Sequence, residues 1–397
     1  MSNKFHESFL KYSVRGCRAI SLLIGLWPMG FSPIQKIMKF ILNFTCCFLL
    51  SFVFISSVLH GSLVMKDLEQ KVKLTGPTSF LLMCISKYTL LMYRGKGLEK
   101  CLSHIQEDWK QIKDKEQVEV MTKNAKFGDY LTIVSAIFMY CGGFWFHFLR
   151  PFIAEAIVTE KNITIKPYPA PVFGTFFTNG YSPIYEIVFA AHLITGFVEY
   201  SATVSAFSFA AVLALHACGQ FDVVMLLLHD IVSGDKQKHK SVRERLKVTV
   251  DRHLRVLSFV SRLEDLLCEV CLIEVFGCTL NLCLLGYYII TEWKQSDITS
   301  VTTYSLILLS FIFNIFIYCY IGELLTSQAA KVGQSAYMIR WYNLPRSVSL
   351  DIIPVIRISH NPAKLTAGKI ITLSMNTFSS VIRSSAAYFN VLWRMAL

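Results

Sequence analysis

Charged residues are scarce in this sequence, and their scarcity argues against most soluble folds. Asp, Glu, Lys and Arg make up 17% of the 397 residues, against roughly 25% in an average soluble protein. Apolar residues reach 53%, and yet the formal net charge is +12. A chain that is both apolar and basic predicts a membrane protein whose positive charge lies in its loops. We expect no nucleic-acid partner.

The sequence also lacks the motifs of common catalytic and metal sites. No HExxH zinc motif, GxSxG nucleophile motif or P-loop occurs in it. The 12 cysteines are scattered, and none forms a CxxC pair with histidines at zinc spacing. A cleavable signal peptide is not expected either, because residues 1–18 carry basic residues but no long apolar core. We therefore expect no enzyme, no catalytic residue, no metal and no cofactor.

Long apolar runs are what the sequence has in abundance. A helix needs about 20 mostly apolar residues to cross a bilayer. Seven stretches meet or approach this length, and the second is the weakest because it contains Gly76, Pro77 and Lys87. The predicted spans are Ile37–Leu59, Leu74–Tyr93, Phe127–Leu149, Ile184–Leu215, Leu266–Ile290, Val301–Leu325 and Ile370–Leu392.

The basic residues between these spans predict the orientation. Of the 39 Lys and Arg residues, 28 fall in alternate segments that start with the N-terminal tail, and 7 fall in the others. Because basic loops stay in the cytosol, the N-terminus is predicted to be cytosolic and the C-terminus extracellular. Asn162 begins a glycosylation sequon in the third loop, which this count places outside.

This orientation bears on the class of receptor. Rhodopsin-like receptors have their N-terminus outside, and this chain also lacks Asp/Glu-Arg-Tyr after span three and Asn-Pro-x-x-Tyr in span seven. A G-protein-coupled receptor is therefore disfavoured. A carrier is disfavoured too, because two matching broken spans are not visible.

Two cytosolic loops carry helical stripes of apolar residues, which predict spans that continue into the cytosol and pack together. Helices lying separately on the membrane surface are the alternative. The first stripe is Leu98, Leu102, Ile105, Trp109 and Ile112, and the second is Leu246, Val250, Leu254 and Leu257. The whole chain is thus expected to be an all-α membrane protein with cytosolic helical extensions that form an anchor domain. Its expected parts are 1–36 (cytosolic N-terminal segment), 37–325 (spans one to six), 326–369 (cytosolic anchor segment) and 370–397 (span seven and a short tail).

The C-terminal third resembles the insect odorant receptor family. The residues that carry the resemblance are Gly322-Glu323-Leu324-Leu325, Ser327-Gln328, Ala336-Tyr337, Trp341-Tyr342-Asn343-Leu344-Pro345, Leu365-Thr366-Ala367-Gly368-Lys369 and the run from Phe378 to Phe389. Near the start, Gly25-Leu26-Trp27-Pro28 resembles a sequence pattern that recurs in the family. Gustatory receptors, the sister group, are the alternative, but the Gln-Phe pair that ends their last span is absent after Tyr388.

The resemblance implies a ligand-gated, non-selective cation channel of four subunits in the membrane of a sensory dendrite. Because the fourth loop is short, the chain resembles a tuning subunit that assembles with the common odorant receptor co-receptor. Aligning Tyr388-Phe389 puts Val391 and Met395 at the gate positions of span seven, and Arg394 falls where the co-receptor has Gln. A pore-facing Arg394 would repel cations, whereas the alternative is a side chain that reaches the outer headgroups.

The family's ligand site lies among spans two, three, four and six. A small, mostly apolar volatile molecule needs an aromatic-lined cavity with one or two polar groups. The candidate ligand-binding residues are Phe80, Met83, Tyr140, Gly143, Phe144, His147, Tyr185, Phe189, His192, Tyr304 and Leu308. For each of them, helix packing or contact with membrane lipid is the alternative.

Overall fold

The computed structural model describes residues 14–28, 32–112, 114–153, 157–158, 164–173, 182–233 and 241–396, and helices dominate them. The helices are α1 (Arg15–Leu23), α2 (Pro33–Leu59), α3 (Leu68–Tyr93), α4 (Gly95–Gln111), α5 (Lys115–Phe144), α6 (Arg150–Ile153), α7 (Ile184–Ser233), α8 (Val242–Lys294), α9 (Ile298–Met338), α10 (Arg346–His360) and α11 (Met375–Ala396). Short π-helical turns at His60–Val64 and Trp145–Leu149 and a 3-10 turn at Trp341–Asn343 continue or link them. Two antiparallel hairpins pair β1 (Ile157–Val158) with β2 (Thr164–Ile165), and β3 (Thr366–Ala367) with β4 (Ile371–Thr372).

Helices α2, α3, α5, α7, α8, α9 and α11 form a seven-transmembrane bundle and correspond to the seven predicted spans. Among the described residues, all of these but α3 and α11 are long and apolar enough to cross a membrane on length and composition alone. Helix α3 is less apolar because it carries Lys87, which the bundle buries completely. Helix α11 carries several serines and Arg383.

Capping residues explain where two of the spans begin. Ser32 accepts a hydrogen bond from the Gln35 backbone N–H, and the Gln35 side chain accepts one from the Ser32 backbone. Ser241 and Glu244 form the same reciprocal pair at the start of α8. Each pair satisfies backbone N–H groups that have no partner inside the helix.

Two spans extend far beyond the bilayer: α8 carries the second predicted stripe, whereas the first stripe lies in the separate helix α4. Helices α7 and α8 have 50 and 53 residues. At 1.5 Å per residue each is about 75–80 Å long, more than twice the thickness of the hydrocarbon core. Helix α4 packs its predicted stripe, Leu98 to Ile112, fully into the core. In α8 the predicted stripe is partly wrong: Leu246 is buried but Leu254 is half exposed, and the buried face runs through His253, Val256 and Val260.

An ionic cluster around Asp108 joins α4, α7 and α8 in these extensions. His216 Nε2 donates to Asp108 Oδ2 at 3.0 Å, and Arg255 Nε donates to Asp108 Oδ1 at 2.7 Å. His104 Nε2 lies 3.4 Å away and Arg252 Nη1 3.7 Å away. Burial by itself raises the pKa of the Asp108 carboxyl, but the contacts with His104, His216 and Arg252 outweigh burial and hold this pKa well below its usual range.

The hairpin β3–β4 sets the start of the last span. The Glu264 carboxylate accepts hydrogen bonds from the Thr366 backbone and hydroxyl, and Gly368 N–H donates to the Cys268 carbonyl at 2.7 Å. Gly368 has a positive φ of 63°, which glycine adopts without strain. The predicted start at Ile370 was therefore too early, because the hairpin continues through Thr372 and α11 begins at Met375.

Candidate ligand cavity

A cavity of about 90 Å³ lies inside the bundle, several times the roughly 10–15 Å³ that one water molecule needs. Helices α2, α3, α5, α7, α8 and α9 all contribute to its wall, together with the π-helical turn Trp145–Leu149. This wall is mostly apolar, and its aromatic side chains include Phe80, Phe146, Tyr200, Tyr288 and Phe311. The phenyl ring of Phe80 stacks on the Tyr200 ring with 5.9 Å between the ring centroids. It meets the Phe311 ring edge-on, with 5.5 Å between the centroids.

The structure brings some of the sequence-predicted residues together at this cavity. They come from α3, α5, the π-helical turn, α7 and α9, and are Phe80, Gly143, His147, His192 and Tyr304. Their presence in one wall gives the predicted ligand-binding role a geometric basis.

Two glycines allow the polar side of the wall to form. A Cβ atom on Gly143 would lie 2.1 Å from Tyr200 Cε2, and a Cβ atom on Gly196 would lie 2.7 Å from His147 Cδ2. Because both positions are glycine, the two rings lie directly against the backbones of α5 and α7. There His147 Nδ1 and the Tyr200 hydroxyl are hydrogen-bonded at 3.0 Å.

Other predicted residues do not line this cavity but lie in helix contacts or on the outer surface. Met83 packs against Gly277 of α8, and its sulfur accepts a hydrogen bond from the Asn281 amide at 3.5 Å. Tyr140 is hydrogen-bonded to Ser201 at 2.7 Å and stacks on Phe197. Phe144 is 55% exposed on the outer face of α5, and Leu308 is a partly buried packing residue of α9.

Tyr185 supports a segment beside the cavity, and Phe189 packs on the Tyr185 ring. The Tyr185 hydroxyl donates to the Lys166 carbonyl at 3.1 Å, and its ring lies 5.3 Å from Tyr168. Tyr168 in turn stacks on His192 at 5.8 Å, and Ala170 lines the cavity. Tyr185 and Phe189 are therefore not part of the wall, whereas His192 lines the cavity and also contacts Tyr168 of this segment.

The sequence did not single out several wall residues as ligand contacts, notably Glu199, Tyr200 and Asn281. One signal was available for Glu199: it follows His192 by seven positions, which places both residues on the same face of α7. Tyr200 carried no such signal, because its position depends on Gly143 in another helix.

The predicted pore residues lie at the end of α11. Val391 is 55% exposed, and Arg394 is exposed in the last turn of the helix. Met395 follows in the same turn, four positions after Val391. The sequon at Asn162 lies outside the described residues, so its glycosylation stays a prediction.

The seven-helix bundle defines a multi-pass helical membrane protein with an internal cavity. A family model described as 7tm Odorant receptor matches residues 67–386. The chain therefore belongs to the odorant receptor family, which is a receptor family rather than an enzyme family.

Curated relatives agree with this assignment. Odorant receptor 13a of Drosophila melanogaster is 27% identical over 194 residues, which cover 45% of each chain. The odorant receptor coreceptor of Anopheles gambiae is 25% identical over 161 residues, covering 40% of this chain and 32% of the relative. The chain spans about half the length of the first curated relatives that it matches.

Solved structures of an insect olfactory receptor share the fold. The olfactory receptor OR5 from Machilis hrabei in complex with eugenol superposes with a TM-score of 0.80 at 14% identity, covering 97% of this chain and 100% of that one. A second structure of the same receptor gives a TM-score of 0.79 and covers 94% of this chain.

Proposed function

We propose that this chain is an odorant receptor subunit that binds a small, mostly apolar volatile molecule in the cavity. The observation that carries the proposal is a mostly apolar space, bounded by six helices, whose wall includes several aromatic side chains. Burial of apolar ligand surface supplies the affinity in such a site, and the polar groups supply selectivity. A related fold, OR5 from Machilis hrabei, was solved with eugenol, itself a small aromatic molecule.

The same proposal makes the chain part of a non-selective cation channel, a heteromeric tetramer with the odorant receptor co-receptor. Helix α11 would line the pore, with Val391 and Met395 at the gate. Its Tyr388 and Val391 are 60% and 55% exposed, and they are three positions apart on one face of the helix. Their exposure supports the proposal, because a pore-lining face packs against no other helix of its own subunit.

Helix α8 offers a direct route from ligand to pore. Its residues Asn281 and Leu285 line the cavity. The next residue, Gly286, packs against Phe389 of α11, and the Thr279 carbonyl accepts a hydrogen bond from Ser385 at 3.1 Å. A ligand that fits the open arrangement of α8 better than the closed one would shift the population toward the open channel.

The exposed face of α2 suits contact with membrane lipid. Phe40, Phe44 and Phe48 recur every four residues on it and are 73%, 67% and 60% exposed. An exposed apolar patch marks a surface for membrane lipid or for another protein, and within a span lipid is the most abundant neighbour. The cellular site of this membrane would be the dendrite of a sensory neuron.

Recording from cells that express the chain with and without the co-receptor tests the proposal. Volatile ligands should evoke inward cation currents in cells that express both subunits. In cells that express this chain alone, these currents should be absent or far smaller. Phe80→Trp, which adds volume inside the cavity, should reduce the response, whereas Phe44→Trp on the lipid face should not. Surface expression without ligand-evoked current over a broad panel of volatiles would contradict it.

A further inference from the structure

Most polar groups in the cavity wall are already satisfied by the protein. The Tyr288 hydroxyl donates to the Val72 carbonyl at 2.6 Å and accepts from the Gly76 N–H at 3.0 Å. The Ser310 hydroxyl donates to the carbonyl of Phe138, 3.1 Å away. Such groups make little demand on a ligand, because their hydrogen bonds exist without it.

Glu199 and His192 differ from these groups. Glu199 is 5% exposed and His192 1% exposed, and both line the cavity. Within the part of the chain that the structure describes, the Glu199 carboxyl makes no side-chain hydrogen bond or ion pair, and His192 Nε2 has no partner. Buried polar atoms without partners are costly in a folded protein, so each one needs an explanation.

The buried cation Lys87 does not neutralise Glu199. Lys87 lies one turn along α3 from Cys84, whose thiol contacts the Glu199 carbonyl at 3.6 Å. The Lys87 ammonium group donates instead to Glu274 at 2.9 Å and to Thr203 at 3.2 Å. Among the described residues the Glu199 side chain therefore has no polar partner, and a molecule bound in the cavity would supply one.

The spacing of the two groups fits an elongated small molecule. Seven residues of α7 separate them, about 10 Å along the helix axis. Between them on α7 lies Gly196, against which the His147 ring packs, and His147 Nδ1 is hydrogen-bonded to the Tyr200 hydroxyl. A ligand body would thus run over aromatic surface from one unsatisfied polar group toward the other.

We propose that the cavity selects small molecules that carry a hydroxyl group, and that this group hydrogen-bonds to the Glu199 carboxyl. The inference rests on the proposed function and narrows its ligand class from apolar volatiles to alcohols with an aromatic or alkyl body. A hydroxyl can donate to a carboxylate or accept from a neutral carboxyl, so one partner satisfies it. An ammonium group has three donors and would bring a second charge into the cavity, where Glu199 alone cannot satisfy it.

Matched ligands that differ only in one terminal group test the inference. Benzyl alcohol, ethylbenzene and benzylamine have the same shape, as do pentan-1-ol, hexane and pentylamine. Currents from cells expressing the chain with the co-receptor give a half-maximal concentration for each compound. We expect each alcohol to act at a concentration at least about tenfold below that of its hydrocarbon, because the hydrocarbon leaves the carboxyl unpaired.

Variants of Glu199 connect this preference to the residue. Glu199→Gln keeps a hydrogen-bonding amide and should keep the preference for alcohols, whereas Glu199→Leu should bring the ratio of half-maximal concentrations close to one. Glu186→Leu, which removes an exposed carboxyl from the same helix, is the matched control and should leave the ratio unchanged. Because the ratio is taken within one variant, changes in expression or gating cancel.

The outcomes separate this inference from the proposed function. Equal potency of alcohol and hydrocarbon in the wild type overturns the inference alone, and this comparison stands even if Glu199→Leu fails to reach the cell surface. If surface-expressed Glu199→Leu keeps the wild-type ratio of half-maximal concentrations, the inference is also overturned. It is overturned as well if the amines act at lower concentrations than the alcohols. Silence toward all six compounds overturns the inference alone when other volatiles evoke current, whereas silence of the surface-expressed channel toward a broad panel overturns the proposed function as well.

Discussion

Lys87 and Glu274 form an ion pair in the middle of the transmembrane bundle. The Lys87 Nζ atom lies 2.9 Å from Glu274 Oε2, and the two side chains are 0% and 1% exposed. The other carboxylate oxygen, Oε1, accepts hydrogen bonds from the Asn314 amide and the Cys278 thiol. Lys87 also donates to Thr203, so four spans, α3, α7, α8 and α9, meet at one charged cluster.

Removing either charge should destabilise the bundle. Lys87→Met leaves the Glu274 carboxylate buried without its cation, which we expect to lower the free energy of unfolding by about 3–5 kcal/mol. The double variant Lys87→Met/Glu274→Leu removes both charges and should recover much of this loss. The free energy of unfolding is measured in detergent for the purified wild type, the single variant and the double variant.

An exposed ion pair of similar length provides the control. Lys369 Nζ lies 2.8 Å from Asp265 Oδ1, but these side chains are 65% and 62% exposed. Lys369→Met should change the free energy of unfolding by no more than about 1 kcal/mol, because water already solvates both charges. A loss as large as that of Lys87→Met would show that burial is not the cause.

The sequence predicted the spans around this pair but not the pair. Periodicity and length predict helices from local residues, and Lys87 alone marks span two as unusual. Its partner lies 187 positions away, on a different helix. Only the packing of α3 against α8 brings the two charges together, and neither apolar run determines that packing by itself. The hairpin β3–β4 was missed for a related reason, because its strands of two residues are too short to show a period.

Gly143 should control the shape of the cavity. In Gly143→Ala the new methyl group would meet the Tyr200 ring, which would have to move away from His147. We expect ligand potency to fall at least about tenfold, in line with the 1–3 kcal/mol that overpacking costs. Gly95→Ala is the control, because a Cβ atom there meets nothing within 4 Å. Equal responses of the two variants would mean that the Tyr200 position is unimportant for binding.

Asp108 should make stability depend on acidity. Its depressed folded-state pKa means that its contribution is present above the unfolded value of about 4 and is lost as the pH falls through the folded value. Asp108→Asn should therefore lower the free energy of unfolding by about 2 kcal/mol or more at pH 7. The difference from wild type should shrink below about pH 4. A difference that grows on acidification would contradict this sign.

Arg394 should affect the passage of cations if it faces the pore. Removing its charge in Arg394→Gln would then raise the relative permeability to divalent cations, which a fixed positive charge repels most strongly. Reversal potentials in mixed-ion solutions measure this permeability in channels formed with the co-receptor. Trp393, the preceding residue, instead turns toward α8, where Lys294 lies 4.1 Å from its ring centre. Unchanged permeability would place Arg394 at the outer headgroups.

The candidate site was partly predictable for a physical reason. Histidines such as His147 and His192 are costly inside a membrane span, so their presence alone suggested a cavity. Aromatic residues carry no such signal, because lipid contact, helix packing and ligand contact all favour them. Phe80 and Phe144 therefore looked equivalent in the sequence, although one lines the cavity and the other lies on the outer surface.

The most direct test of the account is a recording from excised inside-out membrane patches that contain this chain and the co-receptor. The bath solution would hold no nucleotides, and a volatile alcohol would be applied to the patch. If the ligand cavity and the pore belong to one assembly, the ligand should open cation channels at once and repeatedly. Ligand-evoked current that disappears on excision and returns only with GTP would contradict the account.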